Sequence, residues 1–130
     1  MLALRYLILA VQMIVSTAHA NWFSLENTSH FSSYMDKSSI SRKDSVVTTV
    51  ELKDYNQPQI IYGMPVRIVK SERQYDCASR TARTLSFYLY AEGMVTGQTL
   101  LKDRDPSTWA PISKNSAEEK AFSIVCQRSR

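Results

Sequence analysis

Residues 81–91 read Thr-Ala-Arg-Thr-Leu-Ser-Phe-Tyr-Leu-Tyr-Ala, and this stretch sets the fold class. Leu85, Phe87 and Leu89 alternate with Thr84, Ser86, Tyr88 and Tyr90. A period of two in apolar and aromatic residues predicts a β-strand. The Thr/Ser/Tyr set is amphipathic, which suits a half-wet surface or a contact with a partner. Glu92-Gly93 supplies a turn, and Val95 to Leu101 is expected to return antiparallel as the second half of a hairpin.

Upstream, Val66 to Cys77 reads as a second strand. Arg67, Val69, Ser71, Arg73, Tyr75 and Cys77 fall on one face; Val66, Ile68, Lys70, Glu72, Gln74 and Asp76 fall on the other. Its second half has little to bury except around Tyr75 and Cys77. Val46 to Tyr55 also alternates, with Val46, Thr48, Val50 and Leu52 opposed to Thr49, Glu51 and Lys53, and predicts a half-buried strand. Asp54-Tyr55-Asn56-Gln57-Pro58 is expected to break it. Shorter strands are expected near Trp22 to Leu25 and Phe31 to Asp36, with Ser38 to Ser41 as a connection.

Downstream, Ser116-Ala117-Glu118-Glu119 fits a helix-initiating capping box, and its acids suit the first turn. Ala117, Ala121, Ile124 and Val125 then share one face with Phe122 at its edge, and Arg128 and Arg130 follow the helix end. The predicted fold is α+β: a single antiparallel sheet of five or six strands, with a C-terminal helix packed on one face.

The first twenty residues stand apart. Arg5 precedes an apolar run from Leu7 to Val15, and Ala18-His19-Ala20 is a small-x-small cleavage signature. This is the pattern of a secretory signal peptide removed before Asn21. The run is too short to span about 30 Å of hydrocarbon comfortably. The expected organisation is therefore a signal peptide at 1–20 and one domain at 21–130, exported to the periplasm or secreted. No cysteine follows the expected cleavage point, so no lipid anchor is expected. Cys77 and Cys126 both lie in the mature part, and two cysteines in an oxidising compartment most simply pair.

The 130-residue chain carries 16 Lys and Arg against 12 Asp and Glu, a net +4 that becomes +3 once Arg5 is removed. Arg67, Lys70, Arg73, Arg80 and Arg83, set against Glu72 and Asp76, account for that excess. With Tyr88 and Tyr90 nearby, the candidate binding residues are Lys70, Arg73, Arg80, Arg83, Tyr88 and Tyr90. Such a surface suits an acidic protein patch or a polyanionic glycan. The same charges could simply keep a strand face solvated. An exported chain of this modest charge is not expected to bind nucleic acid.

Catalytic motifs are lacking. His30 is the one histidine after the expected cleavage point, and no G-x-S-x-G elbow accompanies it. Asp103-Arg104-Asp105-Pro106 lacks calcium-loop spacing, and the three glycines form no phosphate loop. Binding without catalysis, cofactor or metal is the expectation.

The motifs also come in a telling order. Trp22 is followed by Tyr34-Met35-Asp36, Ile40-Ser41-Arg42 and Leu52-Lys53-Asp54-Tyr55. Then come Val69-Lys70-Ser71, Tyr75-Asp76-Cys77, Arg80 and Arg83, and finally Trp109-Ala110-Pro111-Ile112 before a helix ending in Cys126. Over nearly the whole mature chain this resembles the bacterial surface-adhesin E-like domain family. The resemblance implies one antiparallel sheet with a C-terminal helix, a Cys77–Cys126 disulfide and pairwise association of chains. It also implies binding of extracellular-matrix or plasma proteins of a host, as an outer-membrane lipoprotein of this family does. Two departures stand out: the missing lipid-attachment cysteine, and Lys114-Asn115 where the family favours Pro-Gly before the helix. The first keeps open the alternative of a periplasmic protein that binds another envelope protein or itself.

Overall fold

The structure is a computed structural model that describes residues 19–92 and 99–127. The expected signal peptide lies almost wholly outside the described residues. So do the Gly93 turn and Arg128 and Arg130.

Six strands run in a meander: β1 (Trp22–Asn27), β2 (Phe31–Lys43), β3 (Val46–Ile61), β4 (Met64–Asp76), β5 (Thr81–Tyr90) and β6 (Thr99–Asp103). Every pairing is antiparallel, and spatial order follows chain order. A two-residue strand, β7 (Ala110–Pro111), pairs with the start of β5, opposite Thr81 and Ala82. β6 pairs with the end of β5, so the two share its outer edge. Helix α1 (Ala117–Cys126) closes the described chain. The α+β architecture expected from the sequence is therefore the observed one.

Turn chemistry explains the connections. Thr28 Oγ1 accepts the backbone N–H groups of His30 and Phe31 at 3.1 and 3.0 Å, which ties the β1–β2 turn. His30 sits exposed in that turn. Tyr62 and Gly63 link β3 to β4 with φ values of 50° and 74°, the left-handed pair that matches the twist of a tight hairpin. Asp76 Oδ1 accepts from Ala78 and Ser79 in the β4–β5 turn, which ends on Arg80 at φ 56°.

Three local expectations are corrected. Ser38 to Ser41 is not a connection but lies within β2, where the register shifts between Asp36 and Ser41. Ser39 Oγ accepts the Val50 N–H there, so a side chain replaces a ladder bond. Asp54 to Pro58 does not end β3: the strand absorbs Pro58 in an irregularity between Asp54 and Gln59 and continues to Ile61. The alternation of 81–91 is interrupted as well. Glu72 pairs with Ser86 and Arg73 with Thr84, which leaves Leu85 as a bulge. Thr84 thus leaves the face of Ser86, Tyr88 and Tyr90.

The core lies between the helix and one sheet face. Leu25, Met35, Val47, Tyr75 and Ala82 rise from the strands to meet Ala121, Phe122 and Val125 of α1. The face covered is the one bearing Thr49, Glu51, Arg73 and Tyr75. Leu52 and Ile68 point the other way and form a second small cluster with Tyr90, flanked by Trp22, Tyr34 and Tyr88. Ser116 caps the helix, its hydroxyl accepting the Glu119 N–H at 3.1 Å. Asn115 holds φ 55° before that cap, the left-handed conformation a glycine would adopt most easily. Cys77 and Cys126 form a disulfide with Cα atoms 5.5 Å apart, which pins the end of α1 to the β4–β5 turn.

Candidate functional site

The sheet face turned away from α1 carries Trp22, Tyr34, Tyr88 and Tyr90 around Leu52 and Ile68. Cross-strand register builds it in rows. Leu52, Lys70, Tyr88 and Lys102 line up across β3 to β6, beside a row of Asp54, Ile68 and Tyr90. Thr48, Gln74 and Arg83 form a third row. Side chains in such rows stand side by side, so Lys70 lies between Leu52 and Tyr88. Lys102 Nζ lies 5.6 Å from the Tyr88 ring centroid. A shallow hollow of about 220 Å³ opens among Val50, Lys70, Glu72, Tyr88 and Tyr90. Arg83 donates to Gln74 Oε1 at 2.9 Å and stacks 4.6 Å over Trp109, which is 37% exposed.

Of the six binding residues expected from the sequence, Lys70, Arg83, Tyr88 and Tyr90 share this face. Tyr90 is nearly buried within it, at 8% exposure. Arg73 and Arg80 do not join them. Arg80 sits in the β4–β5 turn, 4.8 Å over the Phe122 ring of α1. Arg73 lies under the helix edge, where Nη2 reaches Glu118 Oε2 at 2.6 Å and Nη1 reaches Thr84 Oγ1 at 2.7 Å.

Arg73 belongs to a polar network that sequence reasoning missed. Glu51 Oε2 accepts the hydroxyls of Thr49 and Tyr75, each at 2.6 Å. Thr49 and Tyr75 are fully buried. Burial pushes the Glu51 carboxyl above its ordinary range; the two hydroxyl bonds and the Arg73 charge oppose this, and Glu118 adds to it. Burial, with the Glu51 carboxylate beside it, also drives the Tyr75 phenol far up, so it stays a donor. The usable signal was parity: Glu51, Arg73 and Tyr75 all fall on the face that leads to Cys77, and Cys77 pairs with the helix.

Beside this network, a cavity of about 290 Å³ separates the start of α1 from the outer half of the same sheet face. Ser33, Glu51, Lys53, Ser71 and Arg73 supply its polar lining; Leu25 and Val69 supply apolar wall. Tyr62, at the tip of the β3–β4 hairpin, stacks on Phe87 with centroids 6.5 Å apart.

Among the described residues no helix is long and apolar enough to cross a membrane. No curated protein is significantly similar in sequence. Solved structures share the fold, among them two of Haemophilus influenzae protein E. Crystal form II of Haemophilus influenzae protein E matches 85% of this chain and 91% of its own, at 16% identity and a TM-score of 0.65. Protein E from non-typeable Haemophilus influenzae matches 86% and 79%, at 16% identity and a TM-score of 0.63. The family model described as Surface-adhesin protein E matches residues 22–127, which include the whole sheet, the disulfide and the helix. The chain belongs to the Surface-adhesin protein E family.

Proposed function

We propose that this is an exported, adhesin-type binding protein that recognises a protein or glycan partner through the sheet face turned away from α1. The observation that carries this reading is the make-up of that face. Trp22, Tyr34 and Tyr88 pack around the buried Leu52, Ile68 and Tyr90, on the face opposite the one that meets α1. Aromatic side chains offer large contact area at low entropy cost, and Lys70, Arg83 and Lys102 add positive charge beside them. Arg73 and Arg80 then act in holding the helix to the sheet, not in contact with the partner. The family's description as a surface adhesin supports a protein partner, and host extracellular-matrix or plasma proteins are the class the resemblance implies. Pairwise association of chains is part of the same reading.

Export and cleavage before Asn21 belong to the proposal. The Asn21 backbone nitrogen donates to Asp36 Oδ1 at 2.9 Å. Cleavage there would turn an amide into an ammonium facing a carboxylate, a stronger, charge-assisted bond.

The test is binding of the exported protein to immobilised matrix and plasma proteins, with Tyr88→Ala and Lys70→Glu combined. The double variant is expected to bind at least about tenfold more weakly, as loss of an interface anchor does. Undiminished binding would remove this face from the reading. Fractionation of the native cell supplies the second arm: protein confined to the soluble periplasm would turn the search to envelope partners.

A further inference from the structure

The cavity beside α1 lies on the other face of the sheet, and the binding reading does not use it. Its polar groups are placed in an unusual way. Ser33 is 6% exposed, lines the cavity, and its hydroxyl has no hydrogen-bond partner among the described residues. Native proteins leave few such groups unpaired, and a buried hydroxyl without a partner is a place where a ligand atom fits. Ser33 lies directly opposite Lys53 in the β2–β3 register. Lys53 Nζ sits 4.5 Å from the Phe31 ring centroid and 5.9 Å from that of Tyr55, and it makes no ion pair among the described residues. Glu51 stands two residues earlier on the same strand and the same face, so their Cα atoms are about 6.8 Å apart. Its carboxylate takes two hydroxyl bonds but no ion pair among the described residues.

The cavity therefore holds an ammonium without a carboxylate, a carboxylate whose neighbouring cation, Arg73, is bonded to Glu118, and a free hydroxyl beside them. The Arg73–Glu118 pair adds no net charge to the lining. Two formal positive and two formal negative charges face one small space. A ligand with a single charge would leave that balance unmatched, whereas a zwitterion matches both ends. The volume, about 290 Å³, is at the small end for ligand sites, which span about 300–1,000 Å³. Leu25 and Val69 offer an apolar wall to a side chain.

We propose that this cavity binds a small zwitterion with an apolar side chain, a free α-amino acid or a dipeptide. The ligand carboxylate meets Lys53 and the Ser33 hydroxyl, and the ligand ammonium meets Glu51. The ordered cavity wall, held by Arg73 to Glu118, makes the site largely pre-formed.

Calorimetric titration of the exported protein tests this, with L-leucine and L-leucyl-L-leucine as probes. Binding is expected for at least one of them. Leucinamide, which lacks the carboxylate, and N-acetyl-leucine, which lacks the ammonium, should each bind at least about tenfold more weakly, the loss of one charged contact. Lys53→Met should abolish the preference for leucine over leucinamide. Ser33→Ala should weaken leucine binding while leaving thermal stability equal or higher, because it removes an unpaired buried hydroxyl; that readout separates a lost contact from a lost fold. The Tyr88→Ala/Lys70→Glu variant should bind leucine normally, so failure on the opposite face is told apart from failure here. No heat from either probe up to about 10 mM, or blocked analogues that bind as tightly as leucine itself, would overturn the proposal.

Discussion

Breaking the Arg73–Glu118 pair should reveal how strongly the helix is held to the sheet. Arg73→Met removes a 2.6 Å charge-assisted bond to Glu118 and a 2.7 Å bond to Thr84. Removing one partner of a fully buried pair typically costs about 3–5 kcal/mol. Here the side chains keep 18% and 26% exposure, so water screens part of the interaction and about 3 kcal/mol is expected. Glu118→Gln keeps an acceptor and loses the charge, and it also loses a favourable acid in the first helical turn, so about 1–2 kcal/mol is expected. The helix-dipole contribution is present in both arms of a double-mutant cycle and cancels. The double variant should therefore be more stable than the summed single losses by about 1–2 kcal/mol, the coupling of the pair itself. Urea unfolding followed by Trp22 and Trp109 fluorescence measures it, provided the denaturant slope stays constant across the four proteins. Additive single losses, to within about 0.5 kcal/mol, would mean that the pair behaves like an exposed surface bridge. The claim that it clamps α1 would then fail.

Two more predictions concern the same layer. The Cys77–Cys126 bond closes a 49-residue separation, and replacing both cysteines by serine should lower stability by about 4 kcal/mol in the chain-entropy account; an unchanged unfolding midpoint would contradict this. Glu51 binds its proton more readily in the folded than in the unfolded chain, because burial raises its folded value above 4.5. Its contribution is thus fully present below 4.5 and is lost as pH rises through the raised folded value. Relative to Glu51→Gln, the native protein should lose stability as pH rises above about 4.5, and a difference that stays flat there would refute the burial argument.

The strands were legible where alternation and turn residues agree. Thr81–Tyr90, the strand through Val46–Leu52 and the Ser116–Glu119 cap all follow from local pattern. The pairing of Cys77 with Cys126 followed from there being one pair in an exported chain. Residues that answer to distant partners were not legible. Ser38 to Ser41 reads as a linker because serine favours turns, yet Ser39 is held in β2 by Val50 across the sheet. Pro58 signals a stop, but the register slip between Asp54 and Gln59 accommodates it. The candidate site was legible in its tyrosines and Lys70, which keep strand parity. Arg73 misled because composition counts its charge and cannot see Glu118, 45 residues away. The bulge at Leu85 likewise moves Thr84 to the helix side, which no local pattern records.

The meander has a consequence for how the molecule comes together. In β1 to β6 each strand lies beside the one just before it in the chain, so every closure spans a short loop and the sheet can zip from its first hairpin onward. Among the described residues, the β7 pairing, the helix docking and the disulfide join elements that are not neighbours in chain order. A chain emerging from its N-terminus would finish the sheet while Cys77 waits with a free thiol. Docking of α1 is then the closing act: it shields Glu51 and Arg73 from much of the solvent and delivers the partner thiol. With a single pair of cysteines, oxidation within the chain has no wrong answer to correct.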